Sequence, residues 1–190
     1  MQGEQTPLTS PEFQEKQKLL RLSELSVWID VYDDIFSDFD PRPYSDRALS
    51  DDFLNEIRKI SRETRSGSVE LNILIPQALR NNRLESIIRK RLHTYFEIGN
   101  RSVRQEMDQF KKNARLLVAF GVAALFGAAY ISYLNFPSFW PHLVIVLMEP
   151  AGWFSVWNGS DQLMKSDKLF KPDRDFYRKL TSAEIKFLPY

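Results

Sequence analysis

Glu149 is the side chain in this sequence best placed to do chemistry. It is a carboxylate inside Pro141–Trp157, an otherwise apolar run of about 17 residues. A carboxylate in such a run is costly and must face protein or water. Pro150 follows it and frees a backbone carbonyl one turn earlier, near Val146, and Gly152 adds local softness. His142 lies seven residues before Glu149, so the two share a helix face but stand about 10 Å apart along the axis. They are too far apart to pair. Glu149 can therefore serve as a proton or ion site, as a polar contact to a partner subunit, or as a structural acid hydrogen-bonded to Tyr130 or Ser132. The structural or assembly role is the expected one.

A second group is acidic: Asp30, Asp33, Asp34, Asp38 and Asp40. Carboxylates after a strand can bind Mg²⁺ or Ca²⁺ through oxygen ligands, but the spacing lacks the glycine and terminal glutamate of an EF-hand. The competing and favoured reading is a solvated loop whose aspartates form Asx-turns and pair with Arg42 and Arg47. The same segment holds Pro41 and Pro43, which restrict the backbone. Asp38, Asp40, Arg42 and Arg47 could recognise a ligand or partner, since guanidinium forks match carboxylates and phosphates. Internal ion pairs that lock the strand to the next helix are the simpler expectation. The basic residues Arg89, Lys90, Arg91, Arg101, Arg104, Lys111 and Lys112 could attract anionic headgroups. Glu97, Glu106 and Asp108 lie among them and dilute that signal.

Other chemistries are poorly served. There are no cysteines, so thiolate nucleophiles, thiolate metal sites and disulfides are excluded. The two histidines, His93 and His142, fall in different regions. No glycine-rich phosphate loop, GxSxG or HExxH is present. The expectation is a non-enzyme without a cofactor. A net charge of +1, from 26 basic and 25 acidic residues, argues against a nucleic-acid partner.

These residues need elements to position them. Residues 1–20 are polar, lack the features of a signal peptide and are expected to be flexible. Residues 21–80 read as a cytoplasmic α+β domain. Val27, Ile29 and Val31 alternate with Trp28, Asp30 and Tyr32, which predicts a strand over Leu25–Phe36. Ser50 with Asp51 and Asp52 opens a helix that ends near Ser66-Gly67. Val69, Leu71, Ile73 and Ile75 form a second strand, so the order strand-helix-strand allows a parallel pair. Residues 81–114 form a connecting helix, which Gly99-Asn100 could bend. After residue 157 the chain is polar again. A short helix is expected after Pro172, and a weak alternation at Ala183–Leu188 suggests a third strand rejoining the first two. The expected fold is a small cytoplasmic α/β sandwich whose long helix leads into a two-helix transmembrane hairpin.

Residues 115–134 and 141–157 are the two spans, joined by the turn 135–140. Leu116–Leu134 carries no charge over about 19 residues, enough to cross a hydrocarbon core. Lys111, Lys112 and Arg115 precede the first span, and Lys165, Lys168 and Lys171 follow the second, while the turn has neither lysine nor arginine. Both termini are therefore expected in the cytoplasm. Ala123 with Gly127, and Ala124 with Ala128, are small residues one turn apart that suit close helix packing. The layout resembles that of many small prokaryotic inner-membrane proteins, without a diagnostic motif. Expected partners are membrane lipid and either further copies of the chain or a larger membrane complex. The functional expectation is a membrane-anchored assembly module. Its alternatives are an oligomeric channel or membrane-disrupting effector, and a cytoplasmic ligand or metal sensor using Asp30, Asp33, Asp34 and Arg47.

Overall fold

The computed structural model describes residues 25–63 and 70–190. They belong to two compact units: Met1–Asn100 with Asp175–Tyr190, and Arg101–Arg174. The chain mixes helix and strand, and one helix is long and apolar enough to cross a membrane. Expectations for residues 1–20, for the helix end at Ser66-Gly67 and for Val69 lie outside the described residues.

The first unit is built on three strands, β1 (Leu25–Trp28), β2 (Glu70–Ile75) and β3 (Glu184–Pro189). They form a parallel sheet in the order β1-β2-β3. Parallel neighbours need a crossover. Between β1 and β2 it is α1 (Asp51–Glu63); between β2 and β3 it is a pair of long helices, α2 (Asn82–Tyr133) and α3 (Phe139–Thr181). The weak alternation at the C-terminus is thus a full strand, running from Glu184 opposite Glu70 to Pro189 opposite Ile75.

As the central strand, β2 is buried from Leu71 to Ile75 on both faces, as parallel strands usually are. Leu71, Ile73 and Ile75 meet Phe53 and Ile57 of α1 in one core cluster. Ile88, Leu92 and Phe96, one helical turn apart on α2, join it, as do Phe176 and Leu180 of α3. Arg89 Nε donates to Ile185 O at 2.9 Å, tying α2 to the last strand.

Three expectations change. The first strand stops at Trp28 and not at Phe36, because Asp34 Oδ2 accepts hydrogen bonds from the Asp30 and Val31 N–H groups at 2.8 and 3.0 Å. That cap turns the chain into a 3₁₀ turn, Tyr32–Ile35, and leaves Phe36 in a single antiparallel bridge with Leu49. Gly99-Asn100 does not bend α2, which runs unbroken for 52 residues. The glycine instead makes room for a neighbour, since a Cβ there would overlap the Tyr177 ring. The separate helix after Pro172 is also absent. Both Pro150 and Pro172 lie inside one 43-residue α3. Each proline removes a single ladder bond, and packed residues flank both. Met148 and Gly152 bracket Pro150, while Phe170 and Phe176 bracket Pro172.

The second unit, Arg101–Arg174, is an antiparallel pair made by the C-terminal part of α2 and most of α3. Its turn carries Asn135 at φ 48°, a left-handed conformation that asparagine tolerates better than most residues. The seam is lined by small residues: Ala114, Gly121, Ala124 and Ala128 on α2, and Gly152, Ser155, Gly159 and Ser166 on α3, all buried. A Cβ on Gly121 would lie 2.6 Å from Gly152 O, and one on Gly159 would lie 2.8 Å from Ala114 O. Nothing larger than glycine fits at those two crossings. Toward the charged end of the pair, Lys111 Nζ meets Asp167 Oδ1 at 2.8 Å and Phe110 packs edge-on against Phe170.

Candidate functional site

The outer surface of the Arg101–Arg174 helix pair is the largest chemical anomaly among the described residues. Its small residues face inward, so its large ones face outward. Phe120, Phe126 and Tyr130 on α2 and Val146, Trp153 and Phe154 on α3 are each more than 60% exposed. Aromatic side chains mark both ends of this zone, with Tyr133, Phe139 and Trp140 at the turn and Trp157 at the other end. A soluble surface rarely carries so wide an apolar area, whereas an interfacial belt has this distribution.

Glu149 interrupts that surface. Its side chain is exposed, and among the described residues it makes no hydrogen bond or ion pair. The expected hydrogen bond from Tyr130 or Ser132 does not form: Tyr130 points outward, 64% exposed. Neighbouring contacts fix the level of the carboxylate. Met148 lies against Gly127, and Gly152 lies against Gly121 and Leu125. Glu149 therefore sits level with the middle of Leu116–Leu134. His142, Val146, Glu149 and Trp153 follow one another at helical spacing, and all four are exposed, so they form one stripe on α3. His142 is not brought to Glu149. Its Nδ1 is 2.9 Å from Ser138 O, and the ring lines a cleft of about 190 Å³ with Ser132 and Asn135 beside the turn.

Of the small residues singled out for packing, Ala124 and Ala128 lie in the seam and Gly127 lies beside Met148. Ala123 is exposed, in an apolar groove with Phe120, Leu147 and Ala151. The close crossings made by Gly121, Gly152 and Gly159 were not read from the sequence, where Gly152 figured only as a soft point beside Pro150. The signal was present as a seven-residue spacing, Ala114-Gly121-Ala128 on one helix and Gly152-Gly159-Ser166 on the other. That is the repeat of a coiled-coil seam written in small residues.

The acidic and basic residues of the first unit engage one another. Arg42 forks onto Asp40, Nε to Oδ1 at 2.9 Å and Nη2 to Oδ2 at 2.7 Å. Asp40 also accepts from Ala48 N at 2.7 Å. The Arg42 guanidinium holds the Asp40 carboxyl well below the usual carboxylate range. Arg47 donates to Asp33 Oδ1 at 2.6 Å and to Ser37 O at 3.0 Å, with Asp38 at 3.9 Å. Arg91 Nε in turn donates to Arg47 O. Asp34 caps the 3₁₀ turn, and Tyr190 Oη lies 3.3 Å from Asp30 Oδ1. Asp30, Asp33 and Asp34 thus serve different partners. Among the described residues no three histidine, aspartate or glutamate side chains converge as a metal site requires.

One buried polar group was not legible beforehand. Glu85, only 3% exposed, is held by Arg80 through Nε and Nη2, both at 2.9 Å. It also accepts a hydrogen bond from Tyr32 Oη at 3.1 Å, and that hydroxyl accepts from Asn81 N. The Arg80 hydrogen bonds, with support from Tyr32, keep the Glu85 carboxyl below its ordinary value against the cost of burial. Burial, with the Glu85 charge, pushes the Tyr32 phenol up. An acidic residue in the first turn of α2 was visible in the sequence; a partner 53 residues earlier was not.

No family model, no curated protein and no solved structure matches this chain. Functional inference therefore rests on its own residues.

Proposed function

We propose that the chain is a two-span membrane protein and acts as a non-catalytic, membrane-anchored assembly module. One observation carries the reading: the Arg101–Arg174 helix pair has an exterior of large apolar and aromatic side chains around a seam of glycine, alanine and serine. That arrangement suits hydrocarbon on the outside, where close helix approach replaces hydrophobic burial as the source of packing energy. The charges support the orientation. Lys111, Lys112 and Arg115 precede the first span and Lys165, Lys168 and Lys171 follow the second, so in the antiparallel pair both groups lie at the end away from the turn, which has none. Both termini then lie in the cytoplasm. The ion-paired segment Asp33–Arg47 and the fully partnered Glu85 favour a scaffold over a catalytic centre.

Because the chain has no cysteine, single-cysteine variants test the topology directly. Ser138→Cys should react with an impermeant maleimide from the outer side only, and Glu56→Cys and Lys168→Cys from the cytoplasmic side only. Labelling of Ser138→Cys from the cytoplasmic side would end the two-span reading. For assembly, the complex in mild detergent should exceed the mass of one chain; a monodisperse monomer would remove that half of the proposal. Exposed Glu149 also favours one second reading, an oligomeric channel. Conductance in planar bilayers that falls in Glu149→Gln would select it.

A further inference from the structure

We infer that the outward stripe of α3 centred on Glu149 is a docking face for a membrane helix of another protein carrying a lysine or arginine at mid-bilayer depth. The inference rests on the two-span reading and names the partner chemistry that reading leaves open. Glu149 stands about 12 Å along the helix from Trp157 and about 13 Å from Trp140, and a glutamate side chain is too short to carry its carboxylate to either interface. The contacts of Met148 with Gly127 and of Gly152 with Gly121 and Leu125 put it at the centre of the neighbouring apolar segment. It faces away from the seam, so α2 cannot satisfy it. A cationic partner lowers the cost of such a group, since a lone carboxylate in a low-dielectric medium is far costlier than a paired one.

Charge complementarity selects the occupant. Leu116–Trp157 contains no lysine or arginine. A second copy of this chain in the same orientation therefore offers Glu149 no lysine or arginine, only another Glu149, the Tyr130 and Ser132 hydroxyls, or a His142 about 10 Å away along the axis. A cationic residue on a foreign helix neutralises it directly. Val146 and Trp153, one turn to either side and both exposed, supply the apolar contacts that flank the pair.

The full-length chain, labelled at Lys168→Cys and reconstituted in phosphatidylcholine vesicles, tests this by energy transfer to a synthetic leucine-alanine transmembrane helix with one central lysine. Insertion is checked first by resistance to carbonate extraction. Association with the lysine helix is expected, at least ten-fold weaker for Glu149→Gln and for the same helix without lysine. The Glu149→Lys variant should transfer its preference to a helix with a central aspartate. Inserted protein that ignores the lysine helix, or binds it equally well as Glu149→Gln, would overturn the inference alone. So would Glu149-dependent transfer between two copies in peptide-free vesicles, which would give the face to a second copy. Protein that carbonate extracts would overturn the two-span reading and this inference together.

Discussion

The two units of this chain are built in opposite senses. In the α/β unit the large side chains are inside: Phe96, Ile57, Leu92 and Ile73 are fully buried. In the Arg101–Arg174 pair the inside is glycine, alanine and serine, and Phe126 and Trp157 are each 74% exposed. The first arrangement gains stability by removing apolar area from water. The second gains nothing that way if its surroundings are themselves apolar, and it depends on backbones approaching closely enough for dispersion contacts. The same α2 helix takes part in both, so the difference comes from side-chain size at the packed positions and not from helix propensity.

The largest effect expected from this contrast is on equivalent phenylalanines. Phe96→Ala should destabilise the α/β unit by about 3–5 kcal/mol, read as a fall in its melting temperature in the full-length protein. Phe126→Ala should change the stability of the helix pair by less than about 0.5 kcal/mol. Equal effects would dissolve the distinction between the units. A smaller effect separates two adjacent alanines. Ala124→Leu forces bulk into the seam and should cost about 1–3 kcal/mol, widening the distance distribution between spin labels at Lys112→Cys and Lys168→Cys. Ala123→Leu, which points into the outer groove, should leave that distribution unchanged.

The smallest effect concerns the polar interior of the α/β unit. Glu85 has a folded-state carboxyl held below its unfolded value. Its contribution is therefore present above pH of about 4.5 and is lost as pH falls below that, through the lower folded value. Glu85→Gln should cost about 1–2 kcal/mol at neutral pH and flatten the acid limb of the stability curve. An unchanged acid limb would show that Asp40 and the surface pairs carry it instead.

Legibility followed the range of the interaction. The strand at Leu71–Ile75, the helix opened by Asp51 and Asp52, and the uncharged run from Leu116 to Leu134 all announce themselves by periodicity or composition within one element. The end of β1 was missed because it is set by one side chain, Asp34, bonding backwards to two backbone N–H groups. The continuity of α3 through Pro172 was missed because local propensity opposes it and tertiary contacts on both sides override it.

By itself, then, the sequence determined that this chain carries alternating strand patterns, a long amphipathic helix and an apolar helix able to cross a membrane. Those properties follow from side-chain type and spacing alone. Only the tertiary structure decided that Glu184–Pro189 closes a parallel sheet with β2 and that Glu85 is buried among Arg80 and Tyr32. It also decided that Glu149 faces outward, without a partner among the described residues. The reason is common to all three: each depends on which face of an element meets another element. Helical periodicity places Glu149 on a stripe, but the Gly121–Gly152 crossing decides which stripe is covered.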